Sequence, residues 1–98
     1  MTKRYQFQSK IVLYPGMGGW HFAGVPKDQS QQIKLSVKVK AGFGSIPVTV
    51  RINKTIWETS IFPDSKSGCY LLPIKASVRK KEGIMADDKL NISITLRA

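Results

Sequence analysis

His21 and Cys69 are the side chains of this sequence best suited to chemistry, one a proton carrier near neutral pH and the other a thiol. Each follows a glycine-containing turn: Gly18-Gly19-Trp20-His21 in the first half, Ser67-Gly68-Cys69-Tyr70 in the second. If internal symmetry relates the two turns, imidazole and thiol could meet as a base and a nucleophile. The plainer reading makes Cys69 a small packed residue, Trp20 a core or barrel-capping residue and His21 a surface residue. Neighbours on a strand face opposite sides, so one of Trp20 and His21 is expected buried and the other exposed. Catalysis through His21 and Cys69 is the weakest reading, and no catalytic residue is assigned.

Other chemistries lack their residues. One histidine, one cysteine and no Cys/His/Asp set at ligand spacing predict no metal site, and no cofactor motif is present. Gly16-Met17-Gly18-Gly19 lacks the spacing and the Lys-Ser/Thr ending of a phosphate-cradling loop. Asp87-Asp88 is the one notable acid pair, and it reads as turn residues that bond to local backbone.

Charge is the stronger signal. Sixteen Lys/Arg stand against six Asp/Glu, a formal net charge of +10. Residues 1–54 hold nine basic side chains and a single acid, Asp28, whereas residues 55–98 hold seven and five, so the excess is +8 in the first part and +2 in the second. Such a field attracts polyanions, nucleic acids foremost. The candidate phosphate contacts are Lys34, Lys38 and Lys40 on a strand-like run, Arg51 on a strand, and Arg79 and Lys80 on a helix. A nucleic-acid reader would merge them into one stripe beside Trp20, Trp57 or Tyr70 for base stacking. A scattered coat would give only weak, salt-labile attraction. A pocket between the two Gly/Pro turns, lined by Trp20, His21, Trp57 or Tyr70, is the competing expectation, with a small molecule or peptide as ligand.

The elements that must position these residues follow from periodicity. Phe7, Ser9, Ile11 and Leu13 alternate with Gln6, Gln8, Lys10 and Val12, as do Ile46, Val48, Val50 and Ile52 with Pro47, Thr49 and Arg51, and Leu90 to Leu96 repeats the period of two. Thr55 to Phe62 is rich in β-branched and aromatic residues. Short strands are expected at 20–25 and 69–72, helices at 27–34 and 74–82 with Gly83 ending the second, and a further strand at 35–40 that pairs with 46–52 as a hairpin. Tyr14-Pro15 to Pro26 and Phe62-Pro63 to Pro73 follow one order of residue types: Pro15 precedes Pro63 by 48 positions, Pro26 precedes Pro73 by 47 and Ser30 precedes Ser77 by 47. The expected fold is all-β dominated: a small closed barrel of about six strands with two short helices, built from two pseudo-twofold-related ββαβ-like units, about 5–53 and 54–97, in a single domain.

Ninety-eight residues suit one modest core, and no run approaches the roughly 18 apolar residues that cross a bilayer. The basic start lacks an apolar signal region. A lone cysteine excludes an intramolecular disulfide, so the cytoplasm is the expected compartment.

The set Gly18-Gly19-Trp20-His21-Phe22, Gly42-Phe43-Gly44-Ser45, Ser60-Ile61-Phe62-Pro63, Ser67-Gly68-Cys69-Tyr70-Leu71-Leu72-Pro73 and Val78-Arg79-Lys80-Lys81-Glu82-Gly83-Ile84 resembles a small bacterial and archaeal barrel family, domain of unknown function 1905. The resemblance spans about residues 5–96 and implies a compact β-barrel; it implies no activity and no site residues. More locally, Leu72-Pro73-Ile74, Val78-Arg79-Lys80, Gly83-Ile84 and Asp87-Asp88-Lys89-Leu90-Asn91-Ile92 resemble the half-barrel unit of swapped-hairpin transcription factors of the AbrB and MazE type. Asp87 stands where that pattern has Gly, and those regulators assemble a barrel from two chains, whereas this chain carries both halves.

Overall fold

Inward residues two or four apart build each long strand: Tyr5, Phe7 and Ile11 on the first, Ile46, Val48, Val50 and Ile52 on the next, Trp57 and Ile61, then Ile92, Ile94 and Leu96, all buried in one cluster. A computed structural model describes residues 3–14, 19–37 and 44–97. The elements are β1 (Arg4–Leu13), β2 (His21–Gly24), α1 (Lys27–Ser36), β3 (Ile46–Ile52), β4 (Thr55–Asp64), β5 (Cys69–Pro73), α2 (Ala76–Glu82) and β6 (Lys89–Leu96). They close an antiparallel barrel in the order β1-β2-β5-β4-β3-β6. Closure leaves its outward polar residues in water and its inward ones to fill the interior. The expected six-stranded barrel with two helices is what forms. Among the described residues no helix is long and apolar enough to cross a membrane.

The expected strand at 35–40 is not found where it can be followed. Residues 35 and 36 complete α1, because Ile33 and Val37, four apart and both buried, lie on one helical stripe while Leu35 is 82% exposed. Lys34 therefore sits in the last helical turn, and among the described residues β3 pairs with β4 and β6. Lys38 and Lys40 lie outside the described residues. The second helix starts two residues later than expected, since the N–H of Ile74 is taken by the His21 carbonyl at 2.9 Å and Lys75 remains extended. Gly83 ends α2 at φ 65°, the left-handed turn that glycine allows, and Asp87 also adopts a left-handed φ of 74°.

Element order is ββαβ twice, and exchanging the first four elements with the last four leaves the strand order of the barrel unchanged. Local bonds follow the same exchange. The N–H of Val25 donates to the Tyr70 carbonyl (2.8 Å) as that of Ile74 does to His21, and Ser30 Oγ donates to the Val25 carbonyl (3.0 Å) as Arg79 Nε does to Ile74 (3.2 Å). These matches lie 49 positions apart, not 47 or 48. They equate Pro26, which precedes α1, with Lys75, which precedes α2, rather than with Pro73. The likeness is one of connectivity; the side chains at matching positions differ, and that difference shapes the site.

Candidate functional site

Both long strands change partner partway. β1 pairs with β6 over Arg4–Lys10 and with β2 only over Ile11–Leu13; β4 pairs with β3 over Thr55–Ile61 and with β5 only over Phe62–Asp64. One edge of each therefore lacks a strand neighbour along most of its length, and a helix lies there instead.

The two helices close these edges differently. On the α1 side, Gln29 Nε2 donates to the Gln6 carbonyl at 3.1 Å, which draws helix and strand together, and Ser9 Oγ donates to the Gly24 carbonyl at 2.9 Å, which ties β1 to the end of β2. Ser30, 2% exposed, accepts from the Tyr70 N–H at 3.0 Å while donating to Val25. On the α2 side the ties are at the far end of the helix, where Glu82 accepts from Thr55 Oγ1 and from Asn53 Nδ2. Those two hydrogen bonds, Thr55 first, hold the Glu82 carboxyl below its ordinary pKa. The start of α2 is left standing off β4, and a cleft of about 440 Å3 opens there.

Buried Trp57 and Ile74 form the floor of this cleft, and exposed Trp20 and Phe62 its rim. Trp20 is a held platform: its ring stacks on Phe22 (centroids 5.7 Å apart, planes at 27°), and Phe22 meets Tyr14 edge-on at 4.9 Å. His21 Nδ1 lies 2.7 Å from the Gly19 carbonyl. A carbonyl only accepts, so Nδ1 is assigned the hydrogen and Nε2 is left as an acceptor in the neutral ring. Arg79 Nε is spent on the Ile74 carbonyl, which fixes the guanidinium beside Lys75 in the wall. The one acid lining the cleft, Glu58, is engaged by Arg97 Nε at 3.4 Å. The cleft is thus apolar and aromatic below, with two cations in its wall.

Four of the nominated residues, Trp20, His21, Trp57 and Arg79, meet in this cleft. Tyr70, Lys34, Arg51 and Lys80 do not line it. Tyr70 is 4% exposed, so it offers no face for stacking; burial pushes its hydroxyl pKa up. Together with Lys34 and Cys69 it lines a separate depression beside α1. Arg51 lines a third, on the outer face of the barrel, and Lys80 is exposed on α2. Lys34, Arg51 and Arg79 therefore do not merge into one stripe.

The expected burial of Trp20 and exposure of His21 are also corrected: Trp20 is 51% exposed and His21 half-buried, because β2 begins at His21 and Trp20 precedes it. Nor do His21 and Cys69 form a pair. β2 and β5 run antiparallel with His21 beside Ile74, which puts Cys69, five residues further along, roughly 16 Å away. Cys69 Sγ instead lies 3.7 Å from the Ser67 carbonyl. Among the described residues no group of three or more His, Cys, Asp and Glu is placed to hold a metal ion.

Sequence reasoning missed Phe62, Ile74 and Lys75. Phe62 sits at the β4 partner change and Lys75 at the start of α2, positions that pairing registers define and residue types do not. Compared with known proteins, residues 7–94 match the model of the family described as Domain of unknown function (DUF1905). No curated protein matches the chain.

Proposed function

We propose that this chain, which belongs to the family described as Domain of unknown function (DUF1905), is a non-catalytic binding module for a small ligand with a flat aromatic part and an anionic group. The observation that carries this reading is the meeting of Trp20, His21, Trp57 and Arg79, from separate segments, in one cleft of about 440 Å3. That volume is within the usual range for small-molecule sites, which combine apolar walls with a few placed polar groups. Trp20 and Phe62 would cover the ring, and Arg79 with Lys75 would meet the anion. A nucleic acid or other polyanion is less favoured as the ligand of this cleft, because Lys34, Arg51 and Arg79 line three separate depressions. The same reading takes the chain as one barrel domain of two duplicated units, 5–53 and 54–97, working in the cytoplasm.

A ligand of about 20 heavy atoms at ~0.3 kcal/mol per atom binds with about 6 kcal/mol, a Kd of tens of micromolar. Trp20 and Trp57 are the only tryptophans of the chain, so its intrinsic emission reports on the cleft directly. Titration with substituted bicyclic aromatic carboxylates of about that size is expected to shift that emission with such a Kd. The matching neutral amides should bind about tenfold more weakly, a loss of ~1.4 kcal/mol. Emission that stays constant to millimolar ligand, or an equal response to carboxylate and amide, refutes the reading.

A further inference from the structure

The outer face of β1, β6 and β3 carries a second depression, of about 460 Å3, unrelated to the cleft. Strand alternation turns Arg4, Gln6 and Gln8 outward from β1, Asn91 and Ser93 from β6, and Arg51 from β3. Gln6, Ser93 and Arg51 share one cross-strand row, and Arg4 lies one row over, opposite Thr95. The two arginines are two strands and two positions apart, so their Cα atoms are separated by roughly 12 Å.

Each guanidinium is braced through one nitrogen. Arg4 Nε donates to Ser93 Oγ at 3.0 Å, and Arg51 Nε donates to the Asn53 carbonyl at 3.0 Å. Bracing at Nε fixes the plane of each group and leaves the two terminal nitrogens as a fork for a further acceptor. None of the residues lining the depression is acidic. Gln6 and Ser93 lie between the forks, and Gln8, Asn91 and Asn53 line the depression beyond Arg51, all side chains that both donate and accept. Its apolar lining residues, Phe7 and Ile92, are only 9% and 2% exposed, so no aromatic face is open to a base.

We infer that this strand face binds the sugar-phosphate backbone of a double-stranded nucleic acid, with Arg4 and Arg51 each taking a phosphate. A single-stranded ligand would need stacking platforms, which this face lacks. A duplex presents phosphates and sugar oxygens in fixed rows, which arginine forks and amide side chains match. The net charge of +10 supplies long-range attraction to the same ligand. This site is independent of the cleft ligand, and either can fail without the other.

Fluorescence anisotropy with labelled 20-base-pair RNA and DNA duplexes, the corresponding single strands and an inorganic polyphosphate competitor tests it. At about 50 mM salt a duplex is expected to bind more tightly than its single strand, and polyphosphate to compete; the RNA and DNA arms identify the source. The double variant Arg4→Gln/Arg51→Gln should bind at least ~10-fold more weakly and show a log–log salt slope shallower by about 2. Lys66→Gln/Lys81→Gln, with the same loss of charge on exposed residues elsewhere, should stay within about twofold on this localised account. Amide shifts of the unaltered protein should cluster on β1, β3 and β6 while the tryptophan emission stays constant. Equal losses in both double variants, tighter binding of single strands, binding of polyphosphate without duplex, or no duplex binding at this salt each overturns the inference.

Discussion

Removing a single oxygen atom at Ser30 should cost this domain a large fraction of its stability. The hydroxyl is buried and serves two backbone groups, donating to the Val25 carbonyl at 3.0 Å and accepting from the Tyr70 N–H at 3.0 Å. Val25 and Tyr70 are themselves 1% and 4% exposed, so Ser30→Ala strands a donor and an acceptor away from water. Each stranded group costs about 1–3 kcal/mol, and partial relaxation brings the pair to about 2–4 kcal/mol. For a chain of this length that lowers Tm by roughly 10–25 °C. Urea unfolding followed by tryptophan emission measures it, with an unchanged slope showing that the unfolded state is unaltered. Ser36→Ala is the control, because it removes only a half-buried bond to the Ile33 carbonyl within the same helix and should cost under about 0.5 kcal/mol. A Ser30→Ala loss below about 1 kcal/mol, or one equal to the control, refutes the view that Ser30 seals α1 onto the barrel.

Three further outcomes follow from the geometry. Glu82 has a folded-state pKa below its ordinary value of 4.5 through Thr55 and Asn53, so its contribution is present above that value and is lost as pH falls through the folded one. Glu82→Gln should therefore flatten the acid limb of the stability–pH curve below about pH 4.5, and parallel curves for the two proteins would contradict this assignment. Asp87 pairs with Lys10 only at an exposed 3.6 Å while adopting a left-handed φ, so Asp87→Gly should raise stability by up to about 1 kcal/mol; a loss of that size would show the ion pair to matter more than the backbone. Phe22→Ala removes the ring on which Trp20 stacks and should red-shift and broaden the Trp20 emission and weaken the cleft ligand severalfold, whereas unchanged emission would mean that the platform does not depend on that contact.

Much of the barrel was legible because its strands have one wet and one dry face. Phe7 and Ile11, the Ile46–Ile52 series and Ile92–Leu96 announce that geometry by alternation alone. The run at 35–40 misled because Leu35 is exposed: an apolar residue on the wet side of a helix turned an Ile33–Val37 helical stripe into an apparent strand. The 47- and 48-residue offsets were set by prolines, whereas backbone bonding equates Pro26 with Lys75 and Ser30 with Arg79, a match that residue types conceal. The cleft was only half legible. Trp20, His21 and Trp57 stand out by type, but their meeting with Arg79 depends on β5 pairing with only three residues of β4, and no local pattern encodes that length. A meeting of Cys69 with His21, the weakest of the sequence readings, rested on symmetry alone; antiparallel pairing of β2 with β5 separates them.

The cleft account is tested most directly by two-dimensional NMR of the two indole N–H signals during titration with a bicyclic aromatic carboxylate. It predicts that both indole signals and the backbone amides of Lys75 and Arg79 move together along one binding curve, while those of Lys34 and Tyr70 beside α1 stay in place. Indole signals that remain fixed while the α1 residues respond would contradict it.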